Sequence, residues 1–237
     1  MSDAVGARIA DVRERIARAA ARAGRRAEEV TLVGVAKRQS AGAVAEAVRA
    51  GLAAVGENYV QEAAAKIPEV VARLAAEGVP APRWHFVGQL QRNKTRHAAA
   101  LFDVVETIDA AALGAELDRR AAAAGRRLAV LFQVNLSGEL QKGGIRPEEL
   151  SALIEASGAW PALDPVGLMT VAAAAPDPEG SRPAFARLRE LLERAPAPPR
   201  APRLRELSMG MSADFEVAIE EGATIVRVGT ALFGART

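Results

Sequence analysis

The sequence predicts an α/β protein that folds as a single-domain (β/α)8 TIM barrel with an additional N-terminal helix. Eight short β-branched segments alternate with helical segments rich in Ala, Glu and Arg, and this alternation implies parallel strands joined by crossovers. The length of 237 residues suits one such barrel with short loops. An open doubly wound sheet has fewer strands and a G-x-G-x-x-G turn after its first strand, whereas here Lys37-Arg38-Gln39-Ser40 follows. The closed barrel is therefore favoured.

Each element is predicted from its residue pattern. Ile9, Val12 and Ile16 recur at helical spacing before Gly24, so we expect a helix over residues 1–24 that packs on the barrel within one domain, 1–237. Runs of β-branched and apolar residues predict strands at 31–36, 53–56, 84–88, 104–108, 128–135, 163–170, 206–209 and 224–228. The helices predicted between them are 41–50, 59–77, 94–100, 110–124, 147–157, 183–194 and 213–221.

Composition excludes several classes of function. The chain has no Cys, which removes disulfides, thiolate nucleophiles and Cys-based metal sites. The formal net charge is only +2 and the cations are spread along the chain, so nucleic-acid binding is not favoured. No apolar run is long enough for a membrane span or a signal peptide, so we expect a cytoplasmic protein without membrane partners. The two histidines, His85 and His97, lack metal-ligand spacing, so we expect no metal site.

Primary amines are scarce in this chain. The only lysines are Lys37, Lys66, Lys94 and Lys142, and Lys37 alone follows a predicted strand end. Active sites of TIM barrels lie at the C-terminal ends of the strands, and burial there favours a neutral, nucleophilic amine. The alternative is a solvated lysine at the barrel rim.

The loops after the last two strands predict an anion site. They carry Ser208, Gly210 and Ser212 in the first loop, and Gly229 and Thr230 in the second. Both loops run into predicted helix N-termini, where backbone N–H groups favour a phosphate, and barrel phosphate sites often use these two loops. Ordinary helix-capping turns are the alternative.

Arg227 interrupts the apolar last strand and therefore needs buried acceptors. One interpretation is an ion pair inside the barrel with a carboxylate such as Glu57, and the other is donation to a bound ligand. A lysine at the barrel mouth, a predicted phosphate site in two loops and a cation inside the barrel together suggest a phosphorylated aldehyde held as a Schiff base. Pyridoxal 5′-phosphate (PLP) is such an aldehyde.

Several segments resemble the pyridoxal phosphate homeostasis proteins, whose barrel is related to the N-terminal domain of alanine racemase. The resemblance rests on Val-Ala-Lys at 35–37, Gly-Glu-Asn-Tyr at 56–59, Trp-His-Phe-Val-Gly at 84–88, Gly-Leu-Met at 167–169, Leu-Ser-Met-Gly-Met-Ser at 207–212 and Arg-Val-Gly-Thr at 227–230. Many members have Ser and Thr beside the lysine, whereas Ala36 and Arg38 stand here. Gln89 and Arg92 also replace commoner residues.

The resemblance implies a PLP Schiff base on Lys37, phosphate held around Ser208, Ser212, Gly229 and Thr230, and Arg227 facing the pyridine nitrogen. The matching motifs add Asn58, His85, Met169, Met209 and Gly210 as cofactor-binding candidates. No residue is assigned a catalytic role.

Two functions of different classes follow, a PLP carrier in vitamin B6 homeostasis and a PLP-dependent amino-acid racemase-like enzyme. A guanidinium facing the pyridine nitrogen keeps it unprotonated and weakens its electron withdrawal, which favours the carrier. The only tyrosine is Tyr59, and the chain ends at Thr237, so we expect no second domain over the site. We expect a monomer whose partners are PLP and PLP-dependent apo-enzymes. A barrel that binds a sugar phosphate without a covalent link is a third interpretation.

Overall fold

The computed structural model describes residues 2–139 and 142–234, in which eight parallel strands form a closed barrel. Met1, which was included in the predicted first helix, lies outside the described residues, as do residues 140–141 and 235–237. The strands are β1 (Thr31–Val35), β2 (Ala54–Glu57), β3 (Arg83–Phe86), β4 (Val104–Ile108), β5 (Leu128–Gln133), β6 (Leu163–Met169), β7 (Glu206–Ser208) and β8 (Ile225–Val228). Strand β1 pairs with β8 from Thr31↔Ile225 to Gly34↔Val228, which closes the barrel.

Helices follow the strands and cover the outside of the barrel. They are α1 (Ser2–Arg22), α2 (Ala41–Arg49), α3 (Val60–Ala75), α4 (Thr95–Leu101), α5 (Ala111–Ala123), α6 (Leu150–Ala156), α7 (Arg182–Arg194), α8 (Phe215–Glu220) and α9 (Thr230–Phe233). The predicted fold class is confirmed, and strand ends differ from prediction by at most two residues. Helix α6 starts three residues later than predicted because Pro147–Glu149 form a 3₁₀ turn. The short α9 was not predicted as an element.

The N-terminal helix α1 lies against α8, α9 and α2. Its apolar face, including Ile9, Val12 and Ile16, is buried. Polar contacts flank this face, since Arg8 Nε donates to the carbonyl oxygen of Leu232 in α9 at 2.5 Å. Arg15 also pairs with Glu216 of α8 at 3.3 Å. No helix within the described ranges is long and apolar enough to span a membrane.

The barrel interior changes from apolar to polar along the strands. A small apolar cluster fills the middle layer and consists of Val33, Ala54, Val104, Leu131, Met169 and Ile225. Because residues two apart in a strand face the same side, Glu106 follows Val104 and Arg227 follows Ile225 on the inner face, one layer nearer the C-terminal strand ends. A larger apolar cluster fills the space between the strands and the helices, as expected where a parallel sheet is buried on both faces.

Candidate functional site

A cavity of about 420 Å³ opens at the C-terminal ends of the strands, within the size range of small-molecule sites. It collects side chains and backbone from the segments that follow strands widely separated in sequence. The lining residues are Val35, Lys37, Gln39, Asn58, Val87, Val171, Met211, Ser212, Ala213, Arg227, Gly229, Thr230 and Gly234. One cavity therefore brings together the lysine, the two hydroxyl-bearing loops and the interior cation.

Arg227 reaches this cavity from inside the barrel, where only 4% of its surface is exposed. Its guanidinium donates to the carbonyl oxygen of Thr170 at 2.7 Å and to Ser208 Oγ, and its Nη1 lies 3.8 Å from Glu106 Oε2. The ion pair inside the barrel that one interpretation expected is present, but its carboxylate is Glu106. Glu57, which was named as an example of such a partner, bonds to Lys66 instead. Neighbouring residues of β2 face opposite sides of the sheet, and Glu57 faces outward.

Glu106 holds the polar layer under the cavity together. Its Oε1 lies 2.6 Å from His85 Nδ1, and its Oε2 accepts a 2.5 Å hydrogen bond from Ser208 Oγ. Burial raises the pKa of this carboxyl, but the hydrogen bond from His85 and the charges and bonds of Arg227 and Ser208 outweigh it, so the pKa lies below its usual value. Glu106 therefore stays ionised and balances the buried charge of Arg227.

The loops after β7 and β8 meet at a corner of the cavity. Ser212 Oγ accepts hydrogen bonds from the backbone N–H groups of Gly229 (3.3 Å) and Ala231 (3.4 Å), at the start of α9. A Cβ added at Gly229 would lie 3.3 Å from the carbonyl oxygen of Val35, so backbone approaches closely there. Asp214 shapes the first loop by accepting a hydrogen bond from the Met211 amide at 2.7 Å. The Ser212 hydroxyl thus joins the loop after β7 to the loop after β8 at one corner of the cavity.

Lys37 lies in a tight turn directly after β1. The carbonyl oxygen of Ala36 accepts a hydrogen bond from the Gln39 amide at 3.0 Å, and Arg38 has a left-handed φ of 61°. This is the pattern of a four-residue turn whose third residue has positive φ, a position that favours Gly or Asn. Lys37 is the second residue of the turn, and it lines the cavity.

A second buried charged cluster stands behind that turn. Lys66 of α3 is 6% exposed, and its ammonium lies 2.7 Å from Glu57 Oε1 and 2.6 Å from Glu62 Oε1. Burial raises the pKa of Glu57 to about 7, although the Lys66 ammonium opposes this shift. From the sequence, Lys66 was expected only as part of the helix predicted over residues 59–77. Its place beside Ile67 on the apolar face of α3 was the available signal.

The predicted site residues fall into two groups. Those that line the cavity are Lys37, Asn58, Ser212, Arg227, Gly229 and Thr230. The others lie behind or beneath the lining: His85 and Ser208 belong to the Glu106 network, Met169 to the interior apolar cluster, Met209 to the outer core, and the Gly210 carbonyl accepts from the Arg227 amide at 3.0 Å. Glu106 was missed, although a lone acidic residue inside the apolar run 104–108 was a readable signal.

The chain is similar to known proteins over almost its whole length. Residues 8–237 match the family model for the alanine racemase N-terminal domain. The chain is 45% identical over 228 residues to the pyridoxal phosphate homeostasis protein of Pseudomonas aeruginosa, covering 96% of this chain and 94% of that protein. It is 42% identical over 228 residues to the protein of the same name from Escherichia coli (strain K12), covering 96% and 95%.

Solved structures show the same relation. The Synechococcus elongatus protein PipY, solved with PLP bound, superposes with a TM-score of 0.80 at 36% identity and covers 97% of this chain and 100% of its own. Alanine racemase from Corynebacterium glutamicum is 18% identical with a TM-score of 0.66, and this chain covers 62% of it. The likeness to the racemase shows a common fold alone.

Replacing Glu106 should destabilise the protein strongly. Glu106→Gln keeps the size of the side chain but leaves the buried Arg227 cation without its counter-charge, which should cost about 3–5 kcal/mol of unfolding free energy. Urea denaturation of both proteins measures this loss. The double variant Glu106→Gln/Arg227→Met removes both charges and should lose less than the single variant. A double variant that loses more would contradict the charge argument.

The proton on Glu57 should make stability depend on pH. The folded protein keeps this proton up to a pKa of about 7, whereas the unfolded chain releases it near 4.5. The contribution is therefore complete below pH 4.5 and lost as the pH rises through about 7. A shift of this size corresponds to roughly 3 kcal/mol of unfolding free energy. The wild-type protein should lose this stability over that pH interval, and the neutral variant Glu57→Gln should not.

Denaturant unfolding at several pH values between 4.5 and 8 tests this prediction. Glu77→Gln is the matched control, because the exposed Glu77 has its pKa lowered by its hydrogen bond to Arg49 and titrates below this interval. The control should keep the wild-type pH dependence. Equal slopes for wild type and Glu57→Gln would show that Glu57 does not hold the proton.

Proposed function

Because the chain belongs to the pyridoxal phosphate homeostasis proteins, we propose that it binds PLP through a covalent bond to Lys37 and takes part in PLP homeostasis without strong catalytic turnover. The observation that carries this proposal is the shared cavity, in which Lys37, the Ser212 corner and Arg227 all take part. These three features could serve the aldehyde, the phosphate and the pyridine ring of PLP respectively. PipY, at 36% identity, was solved with PLP bound.

The residues present fit the chemical parts of PLP. When bound, PLP supplies an electrophilic aldehyde carbon, a phosphate and a pyridine ring. Lys37 offers the amine, and the hydroxyls of Ser212 and Thr230 offer donors for the phosphate. Apolar side chains for the ring come from Val35, Val87 and Val171, which all line the cavity.

Asn58 supplies a further observation in favour of a ligand. It lines the cavity, yet its buried Oδ1 has no hydrogen-bond partner among the described residues. A buried polar atom without a partner costs free energy, so a ligand hydroxyl that donates to this oxygen would remove the cost. Asn58 therefore acts in the proposal as an acceptor that orients the ring.

Arg227 supports binding without strong turnover. A guanidinium only donates hydrogen bonds and does not release its proton in proteins. A pyridine nitrogen facing Arg227 therefore stays unprotonated and withdraws electrons weakly, which disfavours chemistry at an amino-acid α-carbon. Glu106, Ser208 and the Thr170 carbonyl hold the guanidinium in this role.

Tyr59 does not supply the acid or base that a racemase-like enzyme needs on one face of its substrate. It is the only tyrosine in the sequence. Its side chain is 49% exposed and lines a neighbouring cleft with Gln91 and Lys94 rather than the cavity of Lys37. Tyr59 therefore does not serve the racemase-like alternative as an acid or base at this cavity. We further propose that the protein is a cytoplasmic, monomeric carrier that passes PLP to apo-enzymes.

Replacing Lys37 tests the covalent bond. PLP added to the wild-type protein should produce a visible absorbance band of the covalent adduct, and Lys37→Ala should abolish the band because it removes the attacking amine. Lys94→Ala is the control, since Lys94 lines the neighbouring cleft. The band should persist in this control. Absence of a wild-type band would refute the covalent proposal, and unchanged ligand affinity in Lys37→Ala would favour a non-covalent phosphate-binding barrel.

Incubation with amino acids separates a carrier from an enzyme. PLP-loaded protein is mixed with single L-amino acids, and chirality and keto-acid release are followed over time. We expect conversion no faster than with the same concentration of free PLP, because Arg227 weakens the electron withdrawal of the ring. Rapid conversion above that control would replace the carrier with a racemase-like enzyme.

A further inference from the structure

All three donors of the buried Lys66 ammonium are used. It donates to the carbonyl oxygen of Ala36 at 2.7 Å, to Glu57 Oε1 at 2.7 Å and to Glu62 Oε1 at 2.6 Å. A lysine ammonium has three N–H donors and no acceptor, so these contacts leave none unsatisfied. Lys66 thus connects β2 and α3 to the turn that carries Lys37.

The contacts of this cluster bracket Lys37 on both sides. The Ala36 carbonyl belongs to the peptide group before Lys37, and the Arg38 amide belongs to the peptide group after it. Glu62 Oε1 accepts a hydrogen bond from the Arg38 amide at 2.5 Å and is also bonded to the Lys66 ammonium. One small cluster therefore holds both peptide groups of Lys37.

The turn itself requires such support. Arg38 has a φ of 61°, a left-handed conformation that an L-residue with a long side chain adopts at a cost relative to Gly. The hydrogen bond from its amide to Glu62 favours this conformation. The turn is also closed by the hydrogen bond from the Gln39 amide to the Ala36 carbonyl oxygen.

We propose that Lys66 is a positioning residue that, with Glu57 and Glu62, fixes both peptide groups of Lys37 and so sets the direction in which the Lys37 side chain enters the cavity. The inference rests on the proposed function, because Lys37 is the residue that would bond to PLP. The Lys66 ammonium donates one hydrogen bond to the turn, and Glu62 accepts another from it.

A double-mutant cycle tests whether Lys66 acts through Lys37. PLP affinity is measured by equilibrium dialysis for wild type, Lys66→Met, Lys37→Ala and Lys37→Ala/Lys66→Met. We expect Lys66→Met to weaken binding about tenfold when Lys37 is present and less than about twofold when Lys37 is Ala, since coupled residues are non-additive. Slower growth of the adduct absorbance band in Lys66→Met is expected as well.

Arg73→Met is the matched control on the same helix, because Arg73 forms an exposed ion pair with Glu69 at 2.8 Å and does not touch the turn. This control should bind PLP like wild type. If Lys66→Met does not fold, as circular dichroism will show, Glu62→Ala replaces it in the cycle, since Glu62 is partly exposed and bonds to Arg38. The same non-additivity is expected.

An equal loss of affinity in both Lys37 backgrounds would overturn the inference and show that Lys66 supports the cavity in general. Unchanged affinity in both backgrounds would also overturn it. If wild type shows the adduct band and Lys37→Ala does not, these failures leave the proposed function standing. If wild type and Lys37→Ala have the same spectrum and affinity, the proposed function fails, and the inference fails with it.

Discussion

The ionised Glu106 carboxylate, buried inside the barrel, is the interaction on which the cavity depends. Its two oxygens form hydrogen bonds with His85 and Ser208, and its negative charge balances the positive charge of Arg227. Without it, the guanidinium would be a buried cation held by Ser208 and a carbonyl oxygen alone, which is costly. Glu106 also accepts a hydrogen bond from the Ser208 hydroxyl, which in turn accepts one from Arg227. Glu106 therefore fixes the position of the guanidinium. The shape and charge of the cavity floor follow from this one carboxylate.

A second charged cluster works from the other side of the barrel wall. The side chains of Lys66, Glu57 and Glu62 meet on the outer face of the sheet. Lys66 and Glu62 also bond to backbone groups of the turn that carries Lys37. The inner cluster thus places a cation at the floor, and the outer cluster places a lysine at the rim. Both lie near the C-terminal ends of the strands, whereas the middle layer of the barrel is apolar. Among the described residues, the charges of these two clusters lie around the cavity, and the cluster that fills the middle layer is entirely apolar.

Much of the candidate site was predictable because it depends on order along the chain. Once strands alternate with helices, residues that directly follow strands must meet at one end of the barrel. Lys37, Ser212, Gly229 and Thr230 were identified on that ground, and Asn58 was identified from a matching motif. All five line one cavity. Ser208 and His85 were identified as well, but they stand beneath the lining in the Glu106 network. Position in a strand alone does not tell whether a polar side chain touches a ligand or its support.

The sequence by itself determined the barrel, the order of its elements and the strand ends where chemistry could lie, because these follow from local periodicity and helix-stop residues. Only the tertiary structure decided how the buried charges pair. Glu57 was one candidate partner for Arg227. Because alternate residues of β2 face opposite sides of the sheet, Glu57 faces outward and pairs with Lys66. The inward-facing Glu106 pairs with Arg227 instead. Such pairing depends on which faces of distant strands are opposed when the barrel closes. The strand register and the position of α3 set those distances, and neither can be read from local sequence.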